Sequence, residues 1–162
     1  MSTIYPSIDP NGLLEYSVVF TDRSMNHMSR AFQDVMCGLH DGLTSVYNAS
    51  ACVLVPGGGT FAMEAVARQF AKDQHVLVVR NGWFSYRWTQ IFDQGVTPSH
   101  AEVAKARPDN DRADQQFAPV PVEEVCAQIR AERPNLVVAP HVETSAGMLL
   151  PDHYLQALTA AA

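Results

Sequence analysis

The sequence predicts an α/β protein: three layers, a mostly parallel sheet with helices on both faces. Three observations carry this. The runs Ala51–Val55, His75–Val79 and Leu136–Ala139 are apolar and of strand length, without the alternation of a half-exposed strand, as expected for strands buried on both faces. Segments with apolar residues at steps of three and four lie between them and read as amphipathic helices. Each run ends in an unusual loop, Gly57–Thr60, Asn81–Phe84 or His141–Gly147. In an open α/β sheet, ligands bind beyond the C-terminal ends of the strands.

In chain order, residues 1–22 form a polar, Pro/Gly-interrupted extended segment with one strand-like run at Tyr16–Phe20, and residues 23–162 form the domain. Met25, Met28, Phe32, Val35 and Leu39 mark one helix face, with Ser24 as a plausible N-cap and Gly42 as a stop. A helix is expected over Phe61–Lys72, with Ala62, Ala65, Val66 and Phe70 inward and a Glu64–Arg68 pair outside. Trp83–Asp93 is the next helix, in which Trp88 packs inward and Arg87 makes an ion pair, caps a carbonyl or contacts an anion. Ala104–Gln116 reads as a polar exposed loop. Val122, Val125, Cys126 and Ile129 define a further helix, with Glu123 and Glu124 in its first turn, Arg130 and Arg133 in its last, and Pro134 as its stop. A last helix starts near Asp152 and runs to Ala162 without a Gly cap or a following strand, which reads as a cut in a longer chain.

Composition narrows the function. With 47% hydrophobic and 17% charged residues the 162-residue chain is globular. A net charge of −6 argues against a general nucleic-acid surface. No apolar run approaches the ~20 residues that span a bilayer, and no signal peptide begins the chain. Cys37, Cys52 and Cys126 show no CxxC pairing and read as buried thiols in a reducing compartment. Together these predict a cytoplasmic protein with no nucleic-acid or membrane partner.

Chemistry concentrates in the three loops. Gly57-Gly58-Gly59-Thr60 joins a strand to a helix, where glycines admit a ligand close to the backbone and the helix start favours an anion such as phosphate. A tight turn without a ligand fits the same residues. No lysine follows the glycines, so this is not a Walker loop. Asn81 to Trp88 places aromatic rings where one could stack on a flat ligand, or simply pack the helix. His141, Glu143 and Ser145 resemble a hydrolase triad in composition only, since no GxSxG elbow is present. His141 and Glu143 are an incomplete metal set, so no metal is expected.

In this order the three segments resemble the class V, fold type I, pyridoxal-phosphate aminotransferases of the serine–pyruvate and alanine–glyoxylate group. The family's Gly/Ser-rich turn before AxEA is matched by Gly57-Gly-Gly-Thr-Phe-Ala-Met-Glu-Ala65. Its NGxxGxR is matched by Asn81-Gly-Trp-Phe-Ser-Tyr-Arg87, with Ser85 for a glycine. Its HxETSTG is matched by His141-Val-Glu-Thr-Ser-Ala-Gly147, with Ala146 for a threonine. The resemblance implies a transaminase acting on a small amino acid and a small 2-oxo acid, a homodimer, and pyridoxal 5'-phosphate as cofactor. It implies that Gly58, Gly59 and Thr60 hold the phosphate, that Phe84 stacks on the pyridine ring, and that Thr144 bonds the cofactor near its phenolic oxygen. The family's aspartate, anchoring lysine and substrate-binding arginine would follow Ala162, so no catalytic residue is assigned within the chain. Lys72 and Lys105, the two lysines present, read as lying on an outer helix face and in a polar loop. Two rival readings are a non-catalytic phosphate- or nucleotide-binding α/β domain, and an enzyme-derived piece that serves in assembly or is inert.

Overall fold

The computed structural model describes residues 27–96, 98–109 and 114–162. The chain divides between Leu54 and Val55 into two compact units. The expected strand at Tyr16–Phe20, the N-cap Ser24 and Met25 lie outside the described residues.

In the first unit, helix α1 spans Arg30–Tyr47. Its cap is Ser29, whose hydroxyl accepts from the Phe32 amide at 3.2 Å. Gly42 does not stop the helix; Asn48, in a left-handed conformation, ends it five residues beyond Leu43. None of the helix residues is buried, so Val35 and Leu39 remain exposed despite their periodicity.

The second unit contains helix α2 (Gly59–Phe70), strand β1 (His75–Arg80), helix α3 (Trp83–Asp93), strand β2 (His100–Lys105), a hairpin of β3 (Arg107–Pro108) and β4 (Phe117–Ala118), helix α4 (Val122–Glu132), strand β5 (Leu136–Val138), a hairpin of β6 (Val142–Glu143) and β7 (Met148–Leu149) around a 3-10 turn at Thr144–Ala146, and helix α5 (Asp152–Ala161). Strands β2, β1 and β5 form a parallel sheet in that order, with β1 at its centre. His75 pairs with His100 and Arg80 with Lys105 on one side; Val76 to Val78 pair with Leu136 to Val138 on the other.

The alternation of side chains along β1 divides the core between two faces. Leu77 and Val79 pack with Val125, Cys126 and Ile129 of α4 and with Tyr154 and Leu158 of α5. Val76 and Val78 pack with Ala67 and Ala71 at the end of α2 and with Ile91 and Phe92 of α3. Full burial of a valine or leucine contributes roughly 1.5–3 kcal/mol, so these four consecutive residues bind the two helical layers to one strand. The Tyr154 hydroxyl, which burial pushes up to about 12, donates to the Val120 carbonyl at 2.8 Å and ties α5 to the segment before α4.

Several expectations need correction. Ala51–Val55 forms no strand, and Val53 is 82% exposed. The inward face of α2 is Met63, Ala67 and Ala71, spaced four apart, whereas Phe70 is 57% exposed and Ala62 and Val66 are exposed too. Small alanines let α2 approach the sheet closely, and hydrophobicity alone pointed to the wrong stripe. The region read as a loop from Ala104 begins with the end of β2, whose Ala104 is buried. Of the cysteines only Cys126 is buried; Cys37 is exposed and Cys52 intermediate. The Glu64–Arg68 pair does form, at 2.5 Å.

Candidate functional site

The C-terminal ends of β1 and β5 lead into two loops that meet at the N-terminus of α3. A helix start leaves four amides without helical partners. At α3 they belong to Gly82, Trp83, Phe84 and Ser85, and side chains satisfy all four. The Gly82 amide donates to Ser85 Oγ at 3.1 Å, and the Trp83 amide to Ser145 Oγ at 2.8 Å. The Phe84 and Ser85 amides donate to Glu143 Oε1 and Oε2 at 3.0 and 2.8 Å. The Ser85 hydroxyl donates to Glu143 Oε2 at 2.6 Å, and the Ser145 hydroxyl donates to Oε1. The first helical bond, from the Tyr86 amide to the Gly82 carbonyl, follows at 3.0 Å.

Glu143 is therefore a buried carboxylate with four donors, 1% exposed. Burial pushes its carboxyl up. Hydrogen bonds from the Ser145 and Ser85 hydroxyls and from the Ser85 and Phe84 amides outweigh that and hold it below its ordinary value. Its negative charge also faces the positive end of the α3 dipole. Gly82 is required by close approach: a Cβ there would lie 2.6 Å from Ser145 Oγ and 2.8 Å from Glu143 Cδ. Ser85, the departure from the resembled motif's glycine, is what closes this network. The roles of Glu143 and Ser145 are thus positional, a function no local sequence rule signals across 58 to 62 residues.

This capping brings two of the five expected site residues together. Phe84, 49% exposed, sits in the first turn of α3. Thr144, exposed, directly follows Glu143 and opens the 3-10 turn, which packs against α3. Gly58 caps α2, and Gly59 and Thr60 are its first residues. Thr60 lines a cavity of about 220 Å³ with Glu64, Arg68, Arg87, Gln90, Ile91 and others. Residues 87–91 lie three to seven positions beyond Phe84, roughly 5–10 Å along the helix.

At α2 the cap residue Gly58 offers no side chain, and the Gly59 and Thr60 amides make no hydrogen bond among the described residues. The Phe61 amide turns back to the Gly58 carbonyl at 2.9 Å. The turn is thus an open donor set, with Gly57 at φ 129°, a conformation that favours glycine.

A second cavity, of about 330 Å³, lies at the ends of β1 and β2 and is lined by Arg80, Asn81, Trp83, Tyr86, Lys105 and Phe117, among others. Lys105 is thus the last residue of β2 rather than part of a loop; Lys72 is exposed in the turn after α2. Arg80 stacks over the Tyr86 ring at 5.0 Å. The Asn81 side chain is buried and neither Oδ1 nor Nδ2 has a partner. Trp88 packs on Phe92 as expected, with centroids 6.4 Å apart. Arg87 makes no ion pair among the described residues, and its Nε is buried and unpartnered. His141 is exposed. Among the described residues no helix is long and apolar enough to cross a membrane. No protein-family model and no curated protein matches the chain.

Proposed function

We propose that the second unit carries the cofactor-binding part of a pyridoxal-phosphate-dependent aminotransferase of the class V type. The observation that carries the reading is the cap on α3: a buried carboxylate from the loop after β5 holds Phe84, half-exposed, beside Thr144 at the C-terminal edge of a parallel sheet. That is the edge where α/β proteins bind ligands. The residues fit the ring of the cofactor, since an exposed aromatic offers a stacking face and Thr144 a hydroxyl. The Gly59 and Thr60 amides, without a hydrogen bond among the described residues, fit an anion. When bound, pyridoxal phosphate supplies the electron sink for moving an amino group between a small amino acid and a small 2-oxo acid. Glu143 and Ser145 hold the loop and helix in register, and Phe84 and Thr144 orient the ring. Neither lysine is assigned the anchoring role: Lys72 is exposed in the turn after α2, and Lys105 is exposed at the end of β2. The activity, its homodimeric form and its substrates belong to this proposal.

The Gly59 and Thr60 amides, open among the described residues, favour a second reading, a non-catalytic domain that binds phosphate or a phosphorylated ligand at the start of α2. One experiment separates the two. Pyridoxal phosphate is titrated into the 162-residue chain with and without Phe84→Ala, against inorganic phosphate as competitor. The cofactor reading expects Phe84→Ala to weaken pyridoxal phosphate by roughly 2–10-fold, the value of an aromatic contact, and to leave phosphate unaffected. Unchanged affinity of the variant for pyridoxal phosphate removes the cofactor reading. After borohydride reduction, no stoichiometric adduct is expected on Lys72 or Lys105; such an adduct together with alanine–glyoxylate turnover would assign the anchoring lysine within this chain.

A further inference from the structure

We propose that His75, His100 and Glu102 form a binding site for a divalent transition-metal ion at the N-terminal edge of the sheet. His75 and His100 open the adjacent parallel strands β1 and β2 and pair directly in register. Glu102 lies two residues beyond His100, on the same face of β2. One ligand-type atom from each of the three lies within 4.8 Å of the others. His100 Nε2 and Glu102 Oε1 are 3.1 Å apart, close to the ~3.4 Å between ligands on a tetrahedral ion with bonds of about 2.0–2.1 Å. The imidazole rings of His75 and His100 lie 4.9 Å apart. The remaining gap closes by rotation of His100, which is exposed.

A separate observation points to a missing partner. His75 Nε2 is buried and makes no hydrogen bond, and buried polar atoms in folded proteins are almost always paired. Its backbone is held by two bonds to Asn135, since its amide donates to Asn135 Oδ1 at 3.1 Å and its carbonyl accepts from the Asn135 amide at 2.8 Å. The ring is therefore mounted on a rigid strand. Gln128 of α4 donates to Glu102 Oε2, which leaves Oε1 turned towards His100. Outer hydrogen bonds of this kind orient a metal-ligating carboxylate.

Two imidazoles and a carboxylate suit Zn²⁺ or a neighbouring late transition ion, with a fourth position left for water. The strands run six residues, so the site is roughly 17 Å from the opposite edge that holds Phe84 and Thr144. Its ion would clip the edge strand β2 to the central strand β1. No linear motif announces it, because the ligands meet only through strand register.

The test is a zinc titration of the metal-stripped 162-residue chain, followed by calorimetry and by NMR of the histidine side chains. One zinc per chain is expected, with the His75 and His100 signals shifting and the other four of the six histidines unmoved. His100→Ala and Glu102→Gln alter exposed or half-exposed side chains, and with native circular dichroism each is expected to weaken zinc roughly tenfold or more. Bound zinc should raise the unfolding temperature of the parent chain and not that of His100→Ala. The assignment is overturned if no zinc binds, if affinity is unchanged in a His75→Ala/His100→Ala double variant, or if binding disappears only when Cys37 and Cys52 are alkylated.

Discussion

Helices α2 and α3 both start after a glycine, both flank the same face of the sheet, and differ in what meets their first amides. At α3 a carboxylate and two hydroxyls, two of these three groups from the β6 region, occupy every free donor. At α2 the cap is Gly58 and the Gly59 and Thr60 amides are unpaired among the described residues. Any helix start favours negative charge. At α3 the chain supplies that charge itself, as Glu143, and gains a fixed position for Phe84. At α2 it does not, and the donors remain available to an external anion. Glycine before a helix is therefore a weak sign of a binding site until the side chains that fold back onto it are known.

The largest effect should come from removing the charge at α3. Glu143→Ala leaves the Phe84 and Ser85 amides without their acceptor, at about 1–3 kcal/mol for each donor left unsatisfied, and is expected to lower the unfolding temperature by roughly 4–24 °C. Urea unfolding of the parent and variant measures it; a loss below about 1 kcal/mol would break the claim that α3 depends on this cap. The same group sets an acid limit. Its folded value is depressed, so its contribution is complete above the unfolded value, ~4.3, and is lost as pH falls through the folded value. Glu143→Gln should lack this part of the acid-side decline.

A smaller effect is expected at the edge of the network. Ser145→Ala strands the Trp83 amide and removes one donor from Glu143, a change in the range of a lost helix cap, about 1 kcal/mol. In a double-mutant cycle with Glu143→Ala the double variant should lose less than the sum of the single losses; strict additivity would mean that the two side chains act separately. The smallest effect should come from giving α2 what α3 already has. Gly58 has open space where a Cβ would stand, so Gly58→Asp can cap α2 and should raise stability by a few tenths of a kcal/mol. Phosphate and pyridoxal-phosphate binding should fall in the same variant. Retained anion affinity would show that these amides are not the anion site.

Elements whose burial is continuous or helically periodic along the chain were legible in the residues. β1 reads as a buried strand because Val76 to Val79 are buried on both faces. α3 and α4 span the ranges their periodicity and end signals mark, Trp83–Asp93 and Val122–Glu132. β2 was not legible, because it is an edge strand carrying His100, Glu102 and Lys105 with only Ala104 fully buried, and its sequence resembles an exposed loop. Ala51–Val55 misled in the opposite direction: hydrophobicity marked a strand where the chain forms none. The stripe of α2 misled because alanines, not the larger Phe70, make the close contact with the sheet.

The sequence by itself determined the alternation of helices with the buried strands β1 and β5 in the second unit and singled out the loops that follow them, since burial and helical period are written in consecutive residues. Only the tertiary structure decided what those loops do. Glu143 caps a helix that begins 60 residues earlier at Trp83, Lys105 closes a strand, and His75 meets His100 through parallel register. Each of these depends on long-range pairing, which fixes distances between side chains that no local pattern contains.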